Sequence, residues 1–118
     1  MNVEIIVSRH FQKEAKRLLK KYPSLKQELE RLQSELMLNP TTGTPLGQSC
    51  YKIRIAIQSK GKGKSGGARV ITHVLIALPI LDEQRVYLLT IYDKSELSSI
   101  HDLDVKTLIQ EARKENSD

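Results

Sequence analysis

The chain begins with an alternating segment that is followed by helical periodicity. Val3, Ile5 and Val7 alternate with polar neighbours, which predicts a short, half-buried strand. Ser8 is then in position to cap a helix that Pro23 ends. The apolar positions of this helix recur at intervals of three and four residues: Phe11, Ala15, Leu18, Leu19 and Tyr22.

A second helix is predicted between Ser24 and Asn39. Ser24 is followed three residues later by Gln27, which is the spacing of a capping box, and Asn39-Pro40 ends the helix. One face carries four leucines: Leu25, Leu29, Leu32 and Leu36. Two amphipathic helices joined by so short a turn are expected to form an antiparallel hairpin that packs on a sheet.

Three further strands follow a Thr/Gly/Pro loop at residues 40–49. Tyr51 and three isoleucines alternate with the remaining residues of 51–58, which are Lys52, Arg54, Ala56 and Gln58. This alternation predicts a strand with its isoleucines toward the helices and with Lys52 and Arg54 on the other face. A glycine-rich loop separates it from a strand at 69–78, and a turn leads to the last strand at 85–92. Consecutive strands with short connections predict an antiparallel meander.

The chain ends in a predicted helix that Asp102 is expected to cap. Its apolar face consists of Val105, Leu108, Ile109 and Ala112. The order β-α-α-β-β-β-α predicts an α+β fold in which an antiparallel sheet packs against a helical hairpin and a C-terminal helix. A length of 118 residues predicts a single domain over residues 1–118.

Composition excludes several classes of protein. No apolar run approaches the roughly 20 residues that cross a bilayer, and the N-terminus lacks the basic and apolar regions of a secretory signal. Cys50 is the only cysteine, which excludes an internal disulfide framework or a cysteine zinc cluster. We therefore expect a cytoplasmic protein with neither metal nor cofactor. No His–acid pattern accompanies Cys50, so it is interpreted as a strand-edge residue and not as a nucleophile.

The positive charge is concentrated in one part of the chain. The net charge is +5, yet no Asp or Glu occurs between Leu36 and Leu81. That segment holds six cations: Lys52, Arg54, Lys60, Lys62, Lys64 and Arg69. A one-sided basic segment in a small domain is typical of a protein that binds a polyanion, and the alternative is a solubilising surface.

The spacing of the cations suggests how a phosphate could be held. Lys52 and Arg54 are two residues apart on a strand and share a face. Arg69 begins the return strand and could bind a phosphate bidentately at the same end of the sheet. The loop between them alternates glycine with Lys60, Lys62 and Lys64, which favours phosphate contacts, although it could equally be a plain hairpin connection.

Three segments carry a recognisable pattern: Tyr-Lys-Ile-Arg at 51–54, Lys-Gly-Lys-Ser-Gly-Gly-Ala-Arg-Val-Ile at 62–71, and Tyr-Leu-Leu-Thr-Ile-Tyr-Asp-Lys-Ser-Glu at 87–96. Together they resemble the RelE/ParE superfamily of bacterial toxins, and the glycine-rich segment is most similar to the HigB-like branch. The predicted element order agrees with that fold. The resemblance implies the toxin component of a type II toxin–antitoxin system, with a cognate antitoxin protein as partner and no direct DNA binding by the toxin alone.

The resemblance also implies an activity. Relatives cleave mRNA on the ribosome without a metal, by attack of a ribose 2′-OH on the adjacent phosphate, and so inhibit translation. Lys52 and Arg54 match the basic strand positions, Arg69 the phosphate-binding arginine, and Lys94 the basic residue after the last strand. His101 falls where relatives carry a C-terminal tyrosine, and its alternative is a surface histidine beside the helix cap.

Other features leave alternatives open. Thr72 stands where many relatives have tyrosine, and Ser95 where some have a further arginine. Tyr92 lies on the face opposite the core, where it could stack on an RNA base. The alternatives to an endoribonuclease are a ParE-like toxin that targets gyrase, or a degenerate member that only binds RNA or its antitoxin.

Overall fold

The computed structural model describes residues 2–58, 66–97 and 99–116. Across them lie five strands and three α-helices: β1 (Asn2–Val7), α1 (Arg9–Lys21), α2 (Leu25–Leu38), β2 (Thr44–Gly47), β3 (Cys50–Ile55), β4 (Ala68–Leu78), β5 (Glu83–Asp93) and α3 (Asp102–Glu115). A 3₁₀ turn, Pro79–Leu81, joins β4 to β5. The predicted α+β class is confirmed. No helix in the described ranges is long and apolar enough to cross a membrane.

The sheet is mixed, in the order β1-β5-β4-β3-β2. The β2–β3, β3–β4 and β4–β5 pairs are antiparallel, as predicted for the meander, whereas β1 pairs with β5 in parallel. The prediction of a wholly antiparallel sheet is therefore wrong. Alternation along residues 2–7 identifies a strand, but its neighbour and direction depend on how the helices carry the chain across the sheet.

The predicted loop at residues 40–49 contains the short edge strand β2. It pairs with β3 through a tight turn in which Gln48 and Ser49 have positive φ angles of 54° and 57°. Pro45 and Gly47 lie in β2 and weaken any strand signal, so the sequence pattern did not predict it. An edge strand tolerates proline because one side of it makes no ladder hydrogen bonds.

The helices α1 and α2 pack on one face of the sheet. Their buried residues form a cluster with Ile53, Ile55 and Ile57, which confirms that the isoleucines face the helices. Ser8 caps α1 as predicted, because its Oγ accepts the Phe11 N–H at 3.0 Å. Burial of this apolar face, at about 25 cal/mol per Å², is the main stabilising contribution to the fold.

The predicted capping box of α2 is wrong. Ser24 has helical dihedral angles, φ −62° and ψ −18°, and its side chain makes no capping hydrogen bond. A capping side chain needs an extended backbone to reach the free N–H groups of the first turn. The Oγ of Ser24 is instead buried, without a hydrogen-bond partner among the described residues.

The opposite face of the sheet is covered in part by α3. Val105 and Ala112 join a second buried cluster with Ile71, Leu89 and Tyr92. The helix begins at Asp102, and the cap position belongs to His101, which has extended dihedral angles of φ −80° and ψ 150°. The prediction of Asp102 as the cap is therefore wrong by one residue.

Candidate nucleic-acid interface

Strand register brings the predicted cations of β3 and β4 together. Arg54 is the direct cross-strand partner of Arg69, and Arg69 is in turn the partner of Tyr92 on β5. Direct partners project to the same side of a sheet. Lys52 precedes Arg54 by two residues and shares this side. The four side chains therefore lie on the face opposite the helical hairpin.

Three cations at this face, Lys52, Arg54 and Lys94, form no ion pair within the described part of the chain. Lys52 is half-buried, and Arg54 and Lys94 are exposed. The ion pairs there involve other cations, Arg17, Lys21 and Arg31. Because no carboxylate of the described residues pairs with Lys52, Arg54 or Lys94, their charge remains available to a mobile anion.

Arg69 differs from its neighbours in being buried. Only 4% of its surface is exposed, and its Nη1 donates a hydrogen bond to the Ala68 carbonyl at 3.1 Å. Arg69 and Tyr92 are cross-strand partners. Burial raises the pKa of Tyr92, and the positive charge of Arg69 lowers it by a smaller amount. The phenol is consequently neutral at physiological pH.

Tyr92 is also buried, with 6% of its surface exposed. The ring belongs to the cluster that includes Val105 of α3. Its face is therefore not open to a base in this conformation, and the stacking role stays a prediction.

Lys94 is held at the end of the sheet where Arg54 and Arg69 lie. Its backbone N–H donates a hydrogen bond to the carbonyl of Gly67 at 3.1 Å, so Lys94 lies beside the start of β4. Gly67 is itself in close contact with β3, since a Cβ there would overlap the Ile55 carbonyl oxygen. Glycine is the residue that permits this approach. The predicted loop lysines Lys60, Lys62 and Lys64 lie outside the described residues.

The turn that carries Lys94 is anchored by a buried carboxylate. Asp93 is fully buried and accepts hydrogen bonds from the Tyr22 hydroxyl at 3.0 Å, and from the backbone N–H and the hydroxyl of Ser95 at 3.0 and 2.8 Å. Ser95 therefore has a positioning role that the resemblance did not indicate. The Asp-x-Ser spacing, typical of an Asx turn, was the signal available in the sequence.

His101 stands apart from the cations. It is exposed at the start of α3, and its imidazole makes no hydrogen bond to the first turn of the helix. No hydrogen bond or ion pair joins it to Lys52, Arg54 or Lys94 within the described ranges.

Cys50 and His73 form a separate buried pair. The Sγ of Cys50 lies 3.6 Å from Nδ1 of His73, which also makes a 2.9 Å hydrogen bond with the Gln48 carbonyl. Burial raises the pKa of the Cys50 thiol to about 11. A protonated thiol is a poor nucleophile, which agrees with the structural interpretation of Cys50.

The fold and this face define an α+β protein whose mixed sheet carries a row of cations on the side away from its helical hairpin. No protein-family model matches the chain. Among the described residues, no group of three or more His, Cys, Asp or Glu side chains is placed to hold a metal ion.

Proposed function

We propose that this protein is the toxin component of a type II toxin–antitoxin pair and that its basic face binds and cleaves mRNA on the ribosome. The observation that carries the proposal is the direct pairing of Arg54 with Arg69, inside a segment without any acidic residue. Like charges placed opposite one another oppose folding. In the proposal, the RNA phosphate lies at this pair of arginines when the protein acts.

The order of elements also supports this proposal. Apart from the short strand β2, the chain follows the β-α-α-β-β-β-α order that the resemblance to RelE/ParE toxins implies. Fold alone does not determine activity, because one scaffold can serve several functions. The placement of the cations is therefore the stronger support.

The proposed reaction needs no water and no metal. The ribose 2′-oxygen forms a bond to the adjacent phosphorus as its proton leaves, and the bond from phosphorus to the 5′-oxygen breaks as that oxygen gains a proton. The products are a 2′,3′-cyclic phosphate and a 5′-hydroxyl. In the proposal, Lys52, Arg54 and Arg69 stabilise the charge on the phosphorane oxygens. Lys94 and His101 are the candidates for proton transfer.

A second surface supports an antitoxin as partner. An apolar groove of about 280 Å³ lies between α1, α2 and β1, with Phe11, Leu19 and Leu29 among its lining residues. Three exposed lysines and one exposed glutamate border it and the adjoining cleft, which leaves an excess of positive charge: Lys16, Lys20, Lys26 and Glu30. In the proposal, an acidic amphipathic segment of the antitoxin binds here, because its apolar residues and its charge would both be matched.

The test compares two double variants of equal charge. Lys52→Ala with Arg54→Ala removes two cations of the basic face, whereas Lys13→Ala with Lys106→Ala removes two exposed helix lysines. Each is induced in bacteria, and transcript ends are mapped. We expect growth arrest and cuts within codons from the wild type and the control, and neither from the first variant. Full toxicity of the first variant would contradict the proposal.

Other results would assign a different function. A DNA-damage response without new transcript ends would favour the gyrase alternative. RNA binding without cleavage by the purified protein on ribosomes would favour a non-catalytic member of the superfamily. Either result would exclude endoribonuclease activity.

A further inference from the structure

The hydroxyl of Tyr92 is buried, and no described residue forms a hydrogen bond with it. The side chain is otherwise packed as an apolar one, in a cluster with Ile71 and Leu89. In such a place phenylalanine would fill the same volume without leaving a polar atom unsatisfied, and an unsatisfied buried hydroxyl opposes folding. The stability of the fold does not explain such a hydroxyl, and a functional contact with a ligand would.

The surroundings of the hydroxyl point to an anion. Tyr92 is the direct cross-strand partner of Arg69, whose own partner is Arg54. The row therefore places Tyr92 beside Arg69, which is buried, with the exposed Arg54 one strand further on. A neutral phenol is a donor that can complete a phosphate site already supplied with positive charge.

We propose that the Tyr92 hydroxyl donates a hydrogen bond to a non-bridging phosphate oxygen of the RNA that Arg54 and Arg69 hold. This inference rests on the proposed function. It assigns the contact to the hydroxyl of Tyr92 and not to the face of its ring. Since Arg69 and Tyr92 are both buried, the ligand reaches them only when this face opens, and Tyr92 shares its cluster with Val105 of α3.

Tyr92→Phe is the informative variant, because it removes the hydroxyl and keeps the packing. Tyr87→Phe is its matched control, since Tyr87 lies in the same cluster on the same strand but is paired with His73. The probe is a fluorescent single-stranded RNA whose sugars are 2′-deoxy at the scissile positions, so that binding is measured without cleavage. Urea unfolding is measured on the same samples.

We expect Tyr92→Phe to weaken binding of this probe about tenfold, which is what the loss of one hydrogen bond to a charged group predicts. Its urea midpoint should be equal to or above that of the wild type, and Tyr87→Phe should bind as the wild type does. A merely structural Tyr92 would give the opposite result, a lower midpoint with unchanged affinity. Binding by Tyr92→Phe within twofold of the wild type overturns the inference.

Two further measurements separate this inference from the proposed function. If Arg54→Ala weakens binding and Tyr92→Phe does not, only the role of the hydroxyl is wrong. If Arg54→Ala binds as the wild type does, the basic face is not the RNA site and both proposals fail. If the wild type does not bind the free probe, the inference fails, and the proposed cleavage on the ribosome is decided by the transcript ends. In the unsubstituted protein, the ¹³Cζ resonance of Tyr92 should shift on addition of the probe, and an unmoved resonance overturns the inference without any variant.

Discussion

Arg54 and Arg69 face each other directly across β3 and β4. Arg54 is exposed and Arg69 is only 4% exposed, so the pair spans the boundary between solvent and the interior of the protein. Opposite charges at such positions stabilise a sheet, and like charges destabilise it. Folding therefore favours the loss of one positive charge from this pair, whereas anion binding favours keeping both.

Replacement of Arg54 should therefore stabilise the fold while it weakens RNA binding. We expect Arg54→Gln to raise the free energy of unfolding by roughly 0.2–1 kcal/mol, because the repulsion with Arg69 is removed. Urea unfolding at low salt and at 1 M NaCl measures this, and the gain should shrink at high salt, where charges are screened. Lys106→Gln, on the exposed side of α3, is the control and should show neither effect. A less stable Arg54→Gln would show that the arginine is bound by a favourable contact.

Local patterns predicted those parts of the fold that depend on local physics. Of the four leucines predicted on the apolar face of α2, three are in the core, Leu25, Leu32 and Leu36, and Leu29 is partly buried against it. The alternation in β3 correctly separated the isoleucines from Lys52 and Arg54. In both cases, the spacing of the apolar residues identifies the face of the helix or strand that is buried.

The remainder of the fold depends on contacts between distant segments. The parallel pairing of β1 with β5 and the addition of β2 to the sheet edge have no local signature. The burial of Tyr92 and Arg69 has none either, because strand alternation places both on the basic face without showing how deeply they lie. The sequence pattern therefore predicted which cations share a side of the sheet, and not which of them are exposed.

Two serines at helix starts should respond differently to alanine. The Oγ of Ser8 accepts the Phe11 N–H and donates to the Leu89 carbonyl at 3.1 Å, while the Oγ of Ser24 is buried without a partner among the described residues. Ser8→Ala should lower the free energy of unfolding by about 1–2 kcal/mol through loss of the cap. Ser24→Ala should leave it unchanged or raise it slightly. Chemical denaturation of the two variants tests this, and equal effects would contradict the different roles assigned to them.

Gly67 should tolerate no side chain. A Cβ at this position would overlap the carbonyl oxygen of Ile55, a backbone atom that cannot rotate away. We expect Gly67→Ala to lower the free energy of unfolding by roughly 2–4 kcal/mol, because β3 and β4 must separate to accept it. Gly47→Ala is the control for backbone strain alone: Gly47 has φ +86° and open space around its Cα, so about 1 kcal/mol is expected. Thermal unfolding ranks the two, and the reverse order would show that the contact with Ile55 is relieved by a small shift.

His73 should make the protein less stable in mild acid. The imidazole is 7% exposed, and burial is the main cause that lowers its pKa, with the charge of Arg113 acting in the same direction. The hydrogen bond with Gln48 opposes this shift without cancelling it. The groups around the ring, Cys50, Tyr87, Gln48 and Arg113, offer no negative charge that would favour the imidazolium. The folded protein therefore favours the neutral imidazole of His73.

The sign of the pH dependence follows from linkage. Above the ordinary histidine pKa of about 6.5, both folded and unfolded chains hold a neutral His73, and its contribution to stability is complete. As the pH falls below that value, the unfolded chain binds a proton first, and stability declines until the lower pKa of the folded state is reached, by at most about 1.4 kcal/mol per pH unit. Urea midpoints measured between pH 7.5 and 5.5 should fall for the wild type and for the exposed control His101→Gln, and should fall less for His73→Gln. Parallel curves for all three proteins would show that His73 binds a proton as readily folded as unfolded, which its burial beside Tyr87 argues against.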